Sequence, residues 1–279
     1  MSGNFSFLAD KFPAIEKTGA LAESYLYTDP NTCLIKLGML GEIVVKYMLE
    51  LDGIEPPKTD NTHANRIRIL KQEDMLPKDI DDILYVLRTR RNKAAHDGFE
   101  CLEECKKLMG LSYSLCCWFM QTYGDFDFEP GDFALPTDAG QQGEDMQDEY
   151  ARLIAENEKL YAELAEAKAA ALSASINANV KASERKTQAS KAANKLKLSE
   201  AETRLLVDAQ LCKAGWQADS ENIKYSKGAR PQKGKNLAIA EWPVDSAICK
   251  WGAADYALFT GLKLVGVVEA KHRMFRTTT

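Results

Sequence analysis

The sequence predicts an α+β multidomain chain: an all-α helical bundle at the front, a long helical connector, and a partial α/β domain at the end. Three observations predict it. Apolar residues recur at helical spacing over the first part, a heptad seam follows, and short apolar runs bounded by turn residues are confined to the last part. With 279 residues there is room for one large domain or two ordinary ones. A composition of 45% hydrophobic and 28% charged residues excludes a disordered chain.

Residues 1–125 read as the bundle. Asp29-Pro30-Asn31 opens a helix, because proline suits a first turn, and CLIKLGMLGEIVVKYMLEL carries it to the stop at Asp52-Gly53. A further helix starts near Pro77-Lys78-Asp79, with Ile80, Ile83, Leu84 and Leu87 on one stripe, and another runs through LEECKKLMGLSYSLCCWFMQTY. Such amphipathic helices bury their stripes against one another.

Residues 126–143 turn to Asp, Gly, Pro and Gln and read as a linker. Residues 144–196 read as the connector. Met146, Tyr150, Leu153, Asn157, Leu160, Leu164, Ala167 and Ala171 alternate spacings of four and three, a heptad seam with a polar residue at one core position. A dimeric coiled coil and a long helix packed on its own chain both fit it. A homodimer through the helical domain or the coiled coil is therefore among the expected partners.

Residues 197–279 change character again. LSEAETRLLVDAQLCKAGW is an amphipathic helix with Ser199 as N-cap, Glu202 at capping-box spacing, and Gly215 as its stop. The basic loop YSKGARPQKGK follows, then the apolar run LAIAEWPV, then ADYALF and KLVGVV. A tight turn around Thr260-Gly261-Leu262 makes the last two an antiparallel hairpin. With Gly261 and Leu262 as the turn pair, Asp255 faces a residue between Val267 and Glu269. Period two then puts Glu269 and Lys271 on one face, and Val268 and Ala270 on the other.

Charge and cysteine narrow the classes. The net charge of −5 hides an acidic stretch from Asp125 to Glu166 and a basic one from Lys181 to Lys235, which suits a phosphate-rich partner. Cys33, Cys101, Cys105, Cys116, Cys117, Cys212 and Cys249 lack zinc-like spacing beside the three histidines and read as reduced thiols. No apolar run approaches the roughly 20 residues of a membrane span, and MSGNFSFLADKF has no signal-peptide pattern. The expectation is a cytoplasmic protein without a membrane partner.

Asp255, Glu269 and Lys271 then converge at the end of a hydrophobic sheet. Two carboxylates so close repel each other unless something positive sits between them, and a divalent cation is one solution. Magnesium takes hard oxygen ligands, and a nearby lysine can orient or deprotonate an attacking water, the chemistry of phosphodiester hydrolysis. A strand-start acid with an exposed Glu–Lys edge pair is the alternative.

TRLLVDAQLCKAGW, GARPQKGKNLAIAEWP and ADYALF…VVEAK, taken together and in order, resemble the N-terminal endonuclease domain of type I restriction enzyme R subunits, members of the PD-(D/E)xK nuclease class. The resemblance covers residues 197–273. It implies Asp255 and Glu269 as metal ligands with the Ala270 carbonyl assisting, Lys271 as the catalytic lysine, and Mg²⁺ as cofactor. Arg230, Lys233 and Lys235 would hold DNA phosphates, contacts that carry no sequence information. The implied partners are double-stranded DNA and the methyltransferase and specificity subunits of a restriction-modification complex. Family members continue into a Gln-x-x-x-Tyr helix and an ATP-driven translocase, whereas this chain ends at HRMFRTTT without a GxxxxGK[ST] motif. The expectation is an incomplete nuclease domain and no motor. The sheet face carrying Tyr256, Leu258, Leu264 and Val268 is expected to be partly bare.

RTRRNKAAHDG holds a second candidate site. Arg91, Asn92 and His96 resemble the Arg-polar-x3-His motif of HEPN-type helical domains, in which arginine and histidine act on RNA phosphates. Capping and cross-linking of the bundle is the alternative there. An RNA-cleaving or RNA-binding helical module, and a docking fragment without chemistry, are thus rival functions to DNA cleavage.

Overall fold

The computed structural model describes residues 3–56, 59–137, 178–244 and 252–270. The heptad seam from Met146 to Ala171, Cys249 and Lys271 lie outside them. The chain divides into two compact units, Met1–Lys197 and Leu198–Thr279. The first is helical and the second carries a small four-stranded mixed sheet, so the α+β expectation holds at that level.

In the first unit α1 (Pro13–Tyr25), α2 (Pro30–Leu51), α3 (His63–Gln72), α4 (Lys78–Asp97), α5 (Leu102–Phe119) and α6 (Ala178–Asn194) follow a 3-10 turn at Ser6–Leu8. Asp29 caps α2, its side chain accepting from Thr32 N at 2.9 Å, with Pro30 in the first turn. Gly53, at φ +64°, follows its end. α4 stops the same way at Gly98, φ +61°. α3 is the element the apolar pattern does not announce: it buries only His63, Ile67 and Leu70.

α2 is the centre of the bundle. Its buried face includes Leu34, Leu37, Leu40, Val44 and Met48, and it meets α4 through two glycines. A Cβ on Gly38 would stand 2.3 Å from Arg91 Cβ, and one on Gly41 3.3 Å from Leu87 Cδ1. Trp118 is fully buried and donates from Nε1 to the Ala189 carbonyl at 2.9 Å, tying α6 to α5. Arg185 of α6 also pairs with Asp52, which accepts the Tyr123 hydroxyl at 2.7 Å. Phe128 stacks on Phe7 and Phe133 lies against Tyr113, so this stretch after the bundle packs on aromatic rings. The six described cysteines are free thiols. Among the described residues no helix is long and apolar enough to cross a membrane.

In the second unit α7 (Glu200–Lys213) opens with the full capping box: Ser199 Oγ accepts from Glu202 N at 3.2 Å and Ser199 N donates to Glu202 Oε2 at 2.7 Å. Ser199→Ala should cost about 1 kcal/mol in urea unfolding of this unit. An unchanged midpoint would mean that Glu202 alone suffices.

β1 (Gln217–Ala218) pairs parallel with β2 (Asn236–Pro243), which pairs antiparallel with β3 (Ala253–Thr260), which pairs antiparallel with β4 (Lys263–Val268). The β3–β4 turn is Gly261-Leu262, with positive φ (+60°) at the glycine, as a two-residue hairpin needs. One face of the sheet presents Ala238, Ala240 and Tyr256 to Leu211 of α7, with Val207, Leu258, Val268 and Ala270 around them. The other presents Leu237, Ile239, Ala257 and Phe259 to Ile223, Tyr225 and Ala229.

Of the residues expected to be partly bare, Leu264 is exposed and Leu258 and Val268 are half-buried, but the expectation for Tyr256 needs correcting. Tyr256 is 1% exposed, because α7 already covers it. Along the β4 edge Leu262, Leu264, Val265 and Val267 are 48 to 61% exposed. A register shift opposite Leu258–Phe259 leaves Val265 unpaired in β4.

Candidate functional site

The site is assembled where β3 begins and β4 ends. Tyr256 pairs with Val268, so Asp255 and Glu269 are the next opposed positions; the turn alone would set Asp255 against Val268, and the bulge at Val265 moves the register on by one. Beyond the last ladder pair, Asp255 Oδ2 accepts a hydrogen bond from the Ala270 backbone N–H at 2.8 Å. That bond fixes Asp255 against the Glu269-Ala270 segment. Ala270 packs toward the α7 cluster, and Glu269, on the alternate face, is exposed. Lys271 lies outside the described residues.

Asp255 has a second partner that the spacing of motifs does not reveal. Arg204 of α7 donates from Nη2 to Asp255 Oδ1 at 3.2 Å and from Nη1 to Glu241 Oε1 at 3.1 Å. Ala240 pairs with Tyr256 and Trp242 with Ala254, so Glu241 lies across from Asp255 without a ladder pair of its own. Its φ is +51°, a strained value for a residue with a Cβ. Lys224 Nζ reaches Glu241 Oε1 at 2.7 Å. This bond, with Arg204 adding to it, holds the Glu241 carboxyl below its ordinary range against partial desolvation. The positive group that two neighbouring carboxylates demand is thus present as a side chain. The sequence signal of Glu241 was the one charge inside the otherwise apolar run LAIAEWPV.

The donor set suits a hard dication. Asp255, Glu269 and the Ala270 carbonyl are all oxygen ligands, and a carboxylate oxygen with one hydrogen bond keeps a further lone pair. Among the described residues no group of three or more His, Cys, Asp or Glu is arranged as a metal cage. Magnesium, which keeps several waters, does not need one.

The basic loop is only partly available. Arg230 is exposed, yet its Nη1 donates to the carbonyls of Tyr225 at 3.0 Å and Ala229 at 2.7 Å, and its guanidinium sits 3.7 Å from the centre of the Tyr225 ring. Lys233 and Lys235 are exposed on either side of Gly234.

In the second candidate site the three side chains have different surroundings. Arg91 Nη1 pairs with Glu42 Oε2 of α2 at 2.9 Å, whereas Asn92 and His96 are exposed, His96 in the last turn of α4. Glu42 also pairs with Arg66 at 3.0 Å and Lys46 at 3.3 Å. Arg91 therefore cross-links the bundle.

Residues 217–277 match the family described as the second domain of the type I restriction enzyme EcoKI endonuclease subunit. The chain is also similar to the type I restriction enzyme EcoKI endonuclease subunit of Escherichia coli (strain K12), 33% identical over 316 aligned positions. That alignment takes in 96% of this chain and 26% of the relative, so the chain spans about a quarter of its length. No solved structure matches. The resemblance read from the motifs is borne out by both matches.

Proposed function

We propose, for a chain related to the endonuclease subunits of type I restriction enzymes, that the sheet end of its second unit is a Mg²⁺-dependent DNA-cleaving site of the PD-(D/E)xK kind. What supports this reading most is the Asp255–Ala270 hydrogen bond, which brings the first acid of the motif onto the Glu269-Ala270 segment.

Asp255, Glu269 and the Ala270 carbonyl would hold the ion. When bound, Mg²⁺ lowers the pKa of a water and stabilises charge developing on the phosphate. The chain's own residues do the rest. Lys271 orients the attacking water and takes part in its deprotonation. Lys233, Lys235 and the free edge of Arg230 hold the DNA backbone, a contact indifferent to sequence. Recognition of a DNA site and its methylation state would fall to specificity and methyltransferase subunits, and movement along DNA to an ATP-driven motor domain.

Two measurements test the reading. Calorimetric titration with Mn²⁺ should show a site in the wild-type chain that Asp255→Ala removes while the far-UV circular dichroism is unchanged. Equal weak binding in both would sink the metal site. Plasmid nicking by the intact complex in Mg²⁺ and ATP should fall at least about a hundredfold with Lys271→Ala, the range general acid–base groups supply. Full nicking by that variant would remove Lys271 from the chemistry.

A further inference from the structure

The acid cluster has a built-in cation, and its geometry bears on how the site takes a metal. Arg204 is only 22% exposed along its side chain and meets three carboxylates: Glu200 at 3.1 Å, Glu241 at 3.1 Å and Asp255 at 3.2 Å. The Glu200 contact is a surface one, since that side chain is 79% exposed. The other two are not incidental. The Tyr256 hydroxyl donates to the Arg204 backbone carbonyl at 3.2 Å, so the residue next to Asp255 anchors the very turn of α7 that carries the guanidinium. On the far side Glu241, held at φ +51° and gripped by Lys224, keeps the other half of the fork. A planar guanidinium joins two acids in this way; an ammonium is a point charge and serves one well.

We propose that Arg204 is the resident counter-ion of the nuclease site, and that a divalent cation binds Asp255 in competition with it. The inference rests on the metal-site reading above. Asp255 Oδ2 is engaged by the Ala270 amide, and Oδ1 is where the guanidinium sits. A dication arriving at that carboxylate meets a full positive charge on the same group, so the two repel. Glu241 and Glu200 give the guanidinium somewhere to stay when Asp255 is surrendered. The arrangement avoids two opposed carboxylates facing each other without a cation, and the same arrangement holds metal affinity down.

A merely structural arginine would weaken metal binding when lost; a competitor strengthens it. The experiment is calorimetric titration of Mn²⁺ into the full chain as wild type, Arg204→Gln, Arg204→Lys and Asp255→Ala, each checked by circular dichroism. Arg204→Gln should bind about tenfold tighter than wild type, the order expected when a like charge within a few ångströms is removed. Arg204→Lys, which keeps the charge but spans one acid, should gain only about two- to threefold. Affinity in Arg204→Gln equal to or weaker than wild type overturns the inference and leaves the metal site standing. If no form binds Mn²⁺ above the Asp255→Ala baseline, the metal-site reading falls and the inference with it. Should Arg204→Gln fail to fold, Arg204→Lys decides alone, and no gain there overturns the competition.

Discussion

Gly38→Val is expected to lower the stability of the helical unit by about 3 kcal/mol, read as the shift of the urea midpoint. A glycine inside a helix ordinarily costs roughly 1 kcal/mol relative to alanine, so a side chain added there would normally help. Here the sign reverses. The new Cβ would lie 2.3 Å from Arg91 Cβ and 2.7 Å from its Cδ, and a Cβ moves only with its backbone. α2 and α4 would have to separate, and overpacking of this kind costs about 1 to 3 kcal/mol even before β-branching adds its crowding. Gly41→Ala is the internal comparison. Its Cβ would be 3.3 Å from Leu87 Cδ1, the far end of a side chain that can give, so its change should stay within about 1 kcal/mol. If Gly38→Val unfolds at the wild-type midpoint, the two helices are not in the contact described. The same substitution should loosen the Arg91–Glu42 pair, because it displaces the turn of α4 that carries Arg91.

The second large effect is a pH dependence. His63 is 9% exposed and neither ring nitrogen has a hydrogen-bond partner. Burial lowers its pKa to about 4, with Glu42 opposing and Arg88, Arg66 and Arg91 reinforcing the fall. From the ordinary value of 6.5 down to about 4, the unfolded chain binds a proton that the folded one refuses. This contribution to stability is complete above pH 6.5 and is lost progressively as pH falls to 4. The loss amounts to about 3 kcal/mol, since each pH unit between the two values is worth about 1.36 kcal/mol. Urea unfolding at pH 7.5 and 4.5 should show it, on top of whatever the carboxylates contribute. His63→Leu, which removes the titrating group, should flatten the slope by that amount. An identical slope in the variant would mean that the ring is solvated and titrates normally.

Both effects arise at contacts that local pattern does not display, whereas much of the architecture is legible in the sequence. The Asp29-Pro30 start of α2, its stop before Gly53, the start of α4 after Pro77, the Ser199–Glu202 capping box and the Gly261-Leu262 hairpin all stand where the sequence predicts them. Each is settled by residues within about four positions of one another, because helix ends and two-residue turns are satisfied by their own nearest backbone groups. The hairpin turn placed Asp255 opposite a residue between Val267 and Glu269, and the bulge at Val265, which the pattern does not announce, settled on Glu269.

What only the tertiary structure decided is which groups meet across elements. α3 escapes the apolar pattern because its few apolar positions give a weak stripe, and its place follows from the contacts of Ile67, Leu70 and Arg66 with the bundle. Tyr256, on a face the sequence leaves partly bare, is buried, because α7, rather than a helix beyond β4, lies on that face. Arg91 joins Glu42 from 49 residues away, and Arg204 joins Asp255 from 51 and Glu241 from 37. No periodicity links such positions. Their pairing depends on how α4 settles against α2 and how α7 settles on the sheet, and the side chains then find the opposite charge left nearest to them. Sequence by itself determined most of the elements and their ends; packing alone set Arg204 between Asp255 and Glu241.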